Sequence, residues 1–154
     1  MDTLYVLLVD DEPRYLETTS RLLARKGCTV LTAGSGMEAL SVLSRDPVHV
    51  VVLDVKMPGM DGHETFRAIR KSHPLVEVIL LTGHGTVDSA VEGLKAGAFD
   101  YLVKPADIDL LWGKISEAWD SYRRHAEKIR LAMLERSMQS PRDIMKHQGS
   151  DIDA

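Results

Sequence analysis

The chain has 154 residues, 44% hydrophobic and 27% charged, a balance ordinary for a globular protein and long enough for one domain with a proper core. Its formal net charge of −4 argues against sequence-independent binding to nucleic acid or to an anionic membrane. Cys28 is the only cysteine, which excludes an internal disulfide and a cysteine metal cluster and fits a reducing cytoplasm.

The N-terminal stretch MDTLYVLLVDDEP lacks a basic n-region, and its apolar run is too short for a signal peptide or a membrane span. Leu4 to Val9 (LYVLLV) is wholly apolar and ends in Asp10, Asp11 and Glu12. It predicts a buried strand with carboxylates at its exit. Pro13 suits the first turn of a helix. Tyr15, Leu16, Thr19, Leu22 and Leu23 then recur at helical spacing, and Gly27 closes that helix. Cys28 to Ala33 (CTVLTA) alternates in part, as a strand near a sheet edge does. Gly34, Ser35 and Gly36 turn the chain, and Met37, Ala39, Leu40 and Leu43 mark a short helix that ends before Pro47.

The stretch Val50 to Gly62 (VVVLDVKMPGMDG) organises the rest. Val50 to Leu53 is short, β-branched and bounded by turn residues, so it reads as a strand buried on both faces. It ends in Asp54, and a loop with Pro58, Gly59 and Gly62 follows. A helix from about His63 to Ser72 turns Phe66 and Ile69 inward; Asp54 lies too far ahead to cap it. Val76 to Leu81 (VEVILL) is a fourth strand ending in Thr82, followed by a turn at Gly83, His84 and Gly85. Val87, Ala90, Val91 and Leu94 give a fourth helix, stopped by Gly97. Phe99 to Val103 (FDYLV) is a fifth strand, ending at Lys104-Pro105, an X-Pro bond that is a candidate for the cis form.

From Asp107 the pattern is helical again. Leu111, Ile115, Ala118, Tyr122, Ile129 and Ala132 follow Ile108 at alternating three- and four-residue spacing, with His125 in one slot. The expected division is a domain over residues 1–122 and a helical C-terminal extension over 123–154. That extension is a solvated helix, a dimer helix or a dock for a partner, and from Ser137 its polar end reads as disordered.

Strand and helix alternate five times. This predicts a doubly wound α/β fold with a parallel sheet and helices on both faces. Asp10 and Asp11, Asp54, Thr82 and Lys104 all stand at strand ends, on the edge where open α/β sheets bind ligands. Three carboxylates and one ammonium leave a charge of −2, which one divalent cation matches. Two carboxylates about 4 Å apart repel by roughly 4 kcal/mol at an effective dielectric near 20, so the cluster takes a metal or one carboxyl protonates. An all-oxygen set of this size suits Mg²⁺.

The segments LLVDDEP, VVLDVKMPGMDG, LLTGHG and AVEGLKAGAFDYLVKP, at this spacing, resemble the receiver domain of bacterial two-component response regulators over roughly residues 4–120. TGHGT and GAFDYLVKP are most similar to receivers of σ54-dependent activators. The resemblance implies a flavodoxin-like (βα)5 fold with strand order 2-1-3-4-5 and a cis Lys104-Pro105 bond. It implies that Asp54 accepts a phosphoryl group from the phosphohistidine of a histidine kinase or a histidine phosphotransfer protein. Asp11, Asp54 and the Lys56 backbone carbonyl would bind Mg²⁺ directly, and Asp10 through water. Thr82 and Lys104 would meet the phosphoryl oxygens, and Thr82 and Tyr101 would form the switch. Lys56 and His84 would flank the water that hydrolyses the phosphate. Output would pass to a downstream protein through the fourth helix, fifth strand and fifth helix, with homodimerisation through that face or the C-terminal helix, and without nucleic acid or membrane.

Such a protein is a regulatory phospho-acceptor rather than an enzyme acting on other substrates. The chain reads as a stand-alone cytoplasmic switch, since little room follows residue 122 for an output domain. The alternatives are a receiver cut from a longer transcriptional regulator and a flavin-binding electron carrier of the same topology. The second wants a neutral anion cradle where this chain has DDE. A haloacid-dehalogenase-type phosphatase wants an Asp where this chain has Lys56.

Overall fold

The computed structural model describes residues 3–56, 62–83 and 87–138. Pro58, Gly59, His84, Gly85 and the polar end after Met138 lie outside them. The described residues form β1 Tyr5–Val9, α1 Pro13–Arg25, β2 Thr29–Ala33, α2 Gly36–Arg45, β3 Val50–Asp54, α3 Gly62–Ser72, β4 Glu77–Thr82, α4 Val87–Lys95, β5 Asp100–Val103 and α5 Ile108–Ser137. The strands are parallel in the order β2-β1-β3-β4-β5, the order that the resemblance implied. β3 is central and every residue in it is buried, whereas β2 lies on the edge and is mostly open.

Successive strand residues point to opposite faces, and the apolar residues divide accordingly into two cores. Leu7, Val9, Val51, Leu53, Val78 and Leu80 pack with Val42 and Leu43 of α2 and Phe66 and Ile69 of α3. Val6, Leu8, Val52, Ile79, Leu81 and Leu102 pack with Leu23 of α1 and Leu111, Ile115 and Ala118 of α5. The same alternation assigns the polar strand-end residues. Asp54 follows Val50 and Val52 onto the α1/α5 face; Thr82 follows Val78 and Leu80 onto the α2/α3 face. Tyr101 also packs on the α2/α3 side.

Two helices keep apolar residues outside the core. Met37 is 67% exposed, and Val42 is buried with Ala39 and Leu43 in its stead. The cause is the cap. Ser35 accepts from the Glu38 amide and Glu38 from the Gly34 amide, a reciprocal capping box that begins α2 at Gly36 and turns its second residue outward. In α4, Val87, Val91 and Leu94 are exposed, while Gly93 is buried. A Cβ at Gly93 would come within 2.6 Å of Leu80 Cδ1, so α4 meets the sheet through a glycine and leaves its apolar side chains outside.

Gly62 joins β3 to α3. A Cβ there would fall 2.2 Å from Val55 Cα and 2.7 Å from the Asp54 carbonyl oxygen, and the Gly62 amide donates to the Val55 carbonyl at 3.2 Å. Backbone cannot yield as a side chain does. Gly62→Ala is expected to destabilise the fold by about 1–3 kcal/mol, read as a lower urea midpoint. An unchanged midpoint would mean that the helix start can retreat without loss.

The chain divides into two units, Met1–Tyr122 and Arg123–Ala154. In the first, Trp119 and Tyr122 gather around His49, whose Nδ1 accepts from the Tyr5 amide at 3.1 Å. In the second, Ala126 is half-buried and the other described residues are exposed. Ile129 and Ala132 of the expected stripe are among these, and Glu127 pairs with Arg130. No helix among the described residues is long and apolar enough to cross a membrane.

Candidate functional site

The carboxyl edge of the sheet is held by backbone bonds that continue the ladders past the strands. The Asp10 amide donates to Ala33 at 3.1 Å, Val55 to Leu81 at 3.0 Å and Lys104 to Thr82 at 2.6 Å. Each polar strand-end residue is thereby fixed by its neighbouring strand. The Asp10, Asp11 and Asp54 carboxylates offer oxygens that all lie within 4.8 Å of one another. Asp10 is 1% and Asp54 5% exposed, and Asp11 faces solvent.

Two short turns orient the buried carboxylates. Asp10 Oδ1 accepts from the Glu12 amide at 2.9 Å, and Asp54 Oδ1 accepts from the Lys56 amide at 3.0 Å. Asp10 therefore closes the turn ahead of α1, while Glu12, the residue at the cap position, makes no side-chain cap bond. Lys104 enters from the far side of the cluster. Its ammonium donates to Asp10 Oδ2 and stands 3.6 Å from Asp54 Oδ2. The Lys104-Pro105 peptide bond is cis.

The electrostatics follow from this placement. Burial pushes the Asp54 pKa up. The Lys56 amide and Lys104 pull it back, and Asp10 and Asp11 push it further. Burial alone would depress Lys104, but its hydrogen bond and charge contact with Asp10, and then Asp54, hold its pKa above the usual lysine value. The site thus carries an excess of negative charge in a partly dry setting. A donor set of three hard carboxylates, two of them buried, fits a small divalent cation such as Mg²⁺.

Thr82 is buried at the end of β4, opposite Val103 in register, and Tyr101 pairs with Leu80 on the same ladder. Among the described residues the Tyr101 hydroxyl is buried without a hydrogen-bond partner, an uncommon state for a phenol. Lys56 is exposed next to the cluster, and His84 lies outside the described residues.

Tyr15 belongs to this site too, although helical spacing marks it only as a core residue. Its ring lies under the Lys104 ammonium, which is 4.2 Å from the ring centroid. Burial raises its pKa; the hydrogen bond to Thr19 and the charge of Lys104 lower it. The signal available in the sequence was an aromatic placed one turn into the helix that follows DDE.

Residues 6–116 match the family described as the response regulator receiver domain. The transcriptional regulatory protein GlrR of Escherichia coli K12 is 40% identical over 134 residues, 86% of this chain and 30% of that protein. The DNA-binding transcriptional regulator NtrC of Escherichia coli K12 is 37% identical over 122 residues, 79% of this chain and 26% of that protein. The chain therefore spans about a third or less of the length of these relatives. A solved structure, the beryllofluoride-activated NtrC4 receiver domain dimer, superposes with a TM-score of 0.73 at 36% identity, covering 77% of this chain and 98% of that one. The flavin-carrier and phosphatase readings fall away. The match, the sheet order and the acidic edge agree: this chain belongs to the receiver domain family of two-component response regulators.

Proposed function

We propose that Asp54 is the phosphoacceptor of a signalling switch, and that it takes its phosphoryl group from the phosphohistidine of a kinase or phosphotransfer protein. The observation that carries this reading is the Asp54 carboxylate itself. It sits at the end of the central strand, within 4.8 Å of Asp10 and Asp11 and 3.6 Å from the Lys104 ammonium.

An Asp54 oxygen attacks phosphorus in line, an O–P bond forms, and the N–P bond to the imidazole breaks. Phosphoryl transfer needs positioning and charge neutralisation rather than covalent help. Asp10, Asp11 and Asp54, with the Lys56 carbonyl, hold Mg²⁺ in this reading, and the ion, when bound, neutralises phosphoryl charge. Lys104 exchanges part of its contact with Asp10 for a phosphoryl oxygen. Thr82 donates its hydroxyl to another. Water later attacks the acyl phosphate and resets the switch, with Lys56 and His84, two positions past Asp54 and Thr82 in sequence, as the rate-setting residues.

The signal leaves through Thr82 and Tyr101. The drawn Thr82 pulls the β4–α4 connection, and the buried Tyr101 hydroxyl follows it. Moving a population from 1:99 to 99:1 takes about 5.5 kcal/mol, within reach of a few charge-assisted bonds of roughly 1.5–3 kcal/mol each. The output surface is α4, β5 and α5, where Val87, Val91, Leu94, Val103 and Leu110 are exposed. A downstream protein, or a second copy of the chain, covers that face or the C-terminal helix. The dimeric state of the similar NtrC4 receiver supports the second copy. The setting is the cytoplasm.

The test is magnesium linkage. At about 100 times its Kd, Mg²⁺ is expected to stabilise the protein by about 2.7 kcal/mol, seen as a rise in Tm, and to be required for acid-labile labelling by a small phosphodonor. Asp11→Asn should blunt both. Labelling that proceeds equally in EDTA would sink the reading.

A further inference from the structure

We infer that Tyr15 is a positioning residue for phosphoryl transfer: its ring face holds the Lys104 ammonium between Asp10 and Asp54, where an incoming phosphoryl oxygen meets it. This rests on the reading of Asp54 as phosphoacceptor.

A lysine ammonium is a point charge on a flexible four-carbon stem. Here it has two buried carboxylates to choose between, and it donates to Asp10 while staying 3.6 Å from Asp54. With carboxylates alone, the ammonium is free to swing toward whichever is more basic, and Asp10 would hold it away from the reacting atoms. The Tyr15 ring, 4.2 Å below it, supplies a third point of attraction of a different kind. A ring quadrupole attracts a cation without carrying a charge of its own. It localises Lys104 without neutralising it, so the full positive charge stays available to the phosphoryl group. A carboxylate at position 15 would compete for that charge, and an aliphatic side chain would attract nothing.

The ring is itself held. Tyr15 is the third residue of α1, and its side chain packs against the α1/α5 core. Thr19, one turn further along the same helix face, is 7% exposed. The alternation that brings Asp54 to this face of the sheet therefore brings it to the face that carries Tyr15.

The experiment compares the rate constant for Mg²⁺-dependent labelling by a small phosphodonor in the wild type, Tyr15→Leu and Tyr15→Phe, each also with Lys104→Ala. Tyr15→Leu should lose about tenfold, equivalent to about 1.4 kcal/mol, which is within the range of a partly desolvated cation–π contact. Tyr15→Phe keeps the ring face and should restore the rate to within about twofold, since only the hydroxyl is lost. With Lys104→Ala, Tyr15→Leu should cause no further loss. An undiminished rate in Tyr15→Leu, an equal loss in Tyr15→Phe, or an equal loss without Lys104 would each overturn the inference.

A second readout needs neither metal nor phosphodonor. In metal-free protein the Lys104 ε-methylene protons should resonate upfield of the other lysines through the ring current, in the wild type and in Tyr15→Phe. An ordinary shift in both would also overturn it, whether or not Tyr15→Leu folds. Failure of the Asp54 reading looks different, because Asp54→Asn would then label as well as the wild type.

Discussion

Asp54→Asn is expected to abolish acid-labile phosphorylation, by a small phosphodonor and by a cognate kinase alike, with a rate loss on the order of 10³ or more, as removal of a nucleophile produces. Asn is nearly isosteric and can still accept from the Lys56 amide, so the loss is chemical rather than architectural. Stability separates the two. The Asp54 pKa is raised by burial, with Asp10 and Asp11 adding to the shift. A raised carboxylate binds its proton more tightly in the folded than in the unfolded chain, so this group's contribution falls as pH rises from the ordinary value of 3.8 through the raised folded value. In metal-free protein at neutral pH the ionised Asp54 is therefore a destabilising charge. Asp54→Asn should raise the Tm there and flatten that part of the pH profile. An unlabelled variant with a lower Tm would point to a damaged fold; persistent labelling would remove Asp54 from the mechanism.

The alternation of strands and helices was plain in the sequence because both periods, two and 3.6, are written in apolar residues. Boundaries were less plain. Leu4, Cys28, Val76 and Phe99 each open an apolar run, yet the strands begin one residue later, at Tyr5, Thr29, Glu77 and Asp100. Hydrophobicity reports burial, whereas a strand is defined by its ladder bonds. Leu4 is buried and accepts from the Thr29 amide without entering β1. Met37 and the apolar residues of α4 stay outside the core for related reasons: a cap bond set the phase of one helix, and Gly93 set the approach of the other. Neither shows in a count of apolar residues.

The site divides in the same way. The gathering of Asp10, Asp11, Asp54 and Lys104 at one edge was legible because they are polar residues ending apolar runs; Thr82 ends such a run too and is buried at the end of β4. Tyr15 was not legible, because an amphipathic side chain at helical spacing looks like core. Only the reach of the lysine stem from the end of β5 brings a charge over the Tyr15 ring.

Lys104→Ala should have the opposite sign to Asp54→Asn in stability and a different effect on function. Lys104 is the shared ion-pair partner of Asp10, 1% exposed, and Asp54, 5% exposed. Removing it leaves two buried carboxylates beside a third at Asp11, and breaking a buried pair from one side costs about 3–5 kcal/mol. The low end applies, because the Lys104 side chain is itself 20% exposed and water can partly replace it. The metal-free variant should therefore melt well below the wild type, and saturating Mg²⁺ should recover most of the difference by returning positive charge to the same oxygens. Labelling of Asp54 should persist, because the carboxylate remains, but at a rate lowered at least as far as in Tyr15→Leu, while phosphorylation-dependent partner binding should fail, because no ammonium links the phosphoryl group to β5 and α5. The double variant Lys104→Ala/Asp54→Asn supplies the decisive comparison. If the site is governed by its charge balance, removing one charge of each sign restores metal-free stability toward the wild type. If the double variant instead falls by the full Lys104→Ala amount, Lys104 contributes through packing against Tyr15 rather than by offsetting the carboxylates. Normal partner binding in the single variant would count against Lys104 as the element that carries the signal.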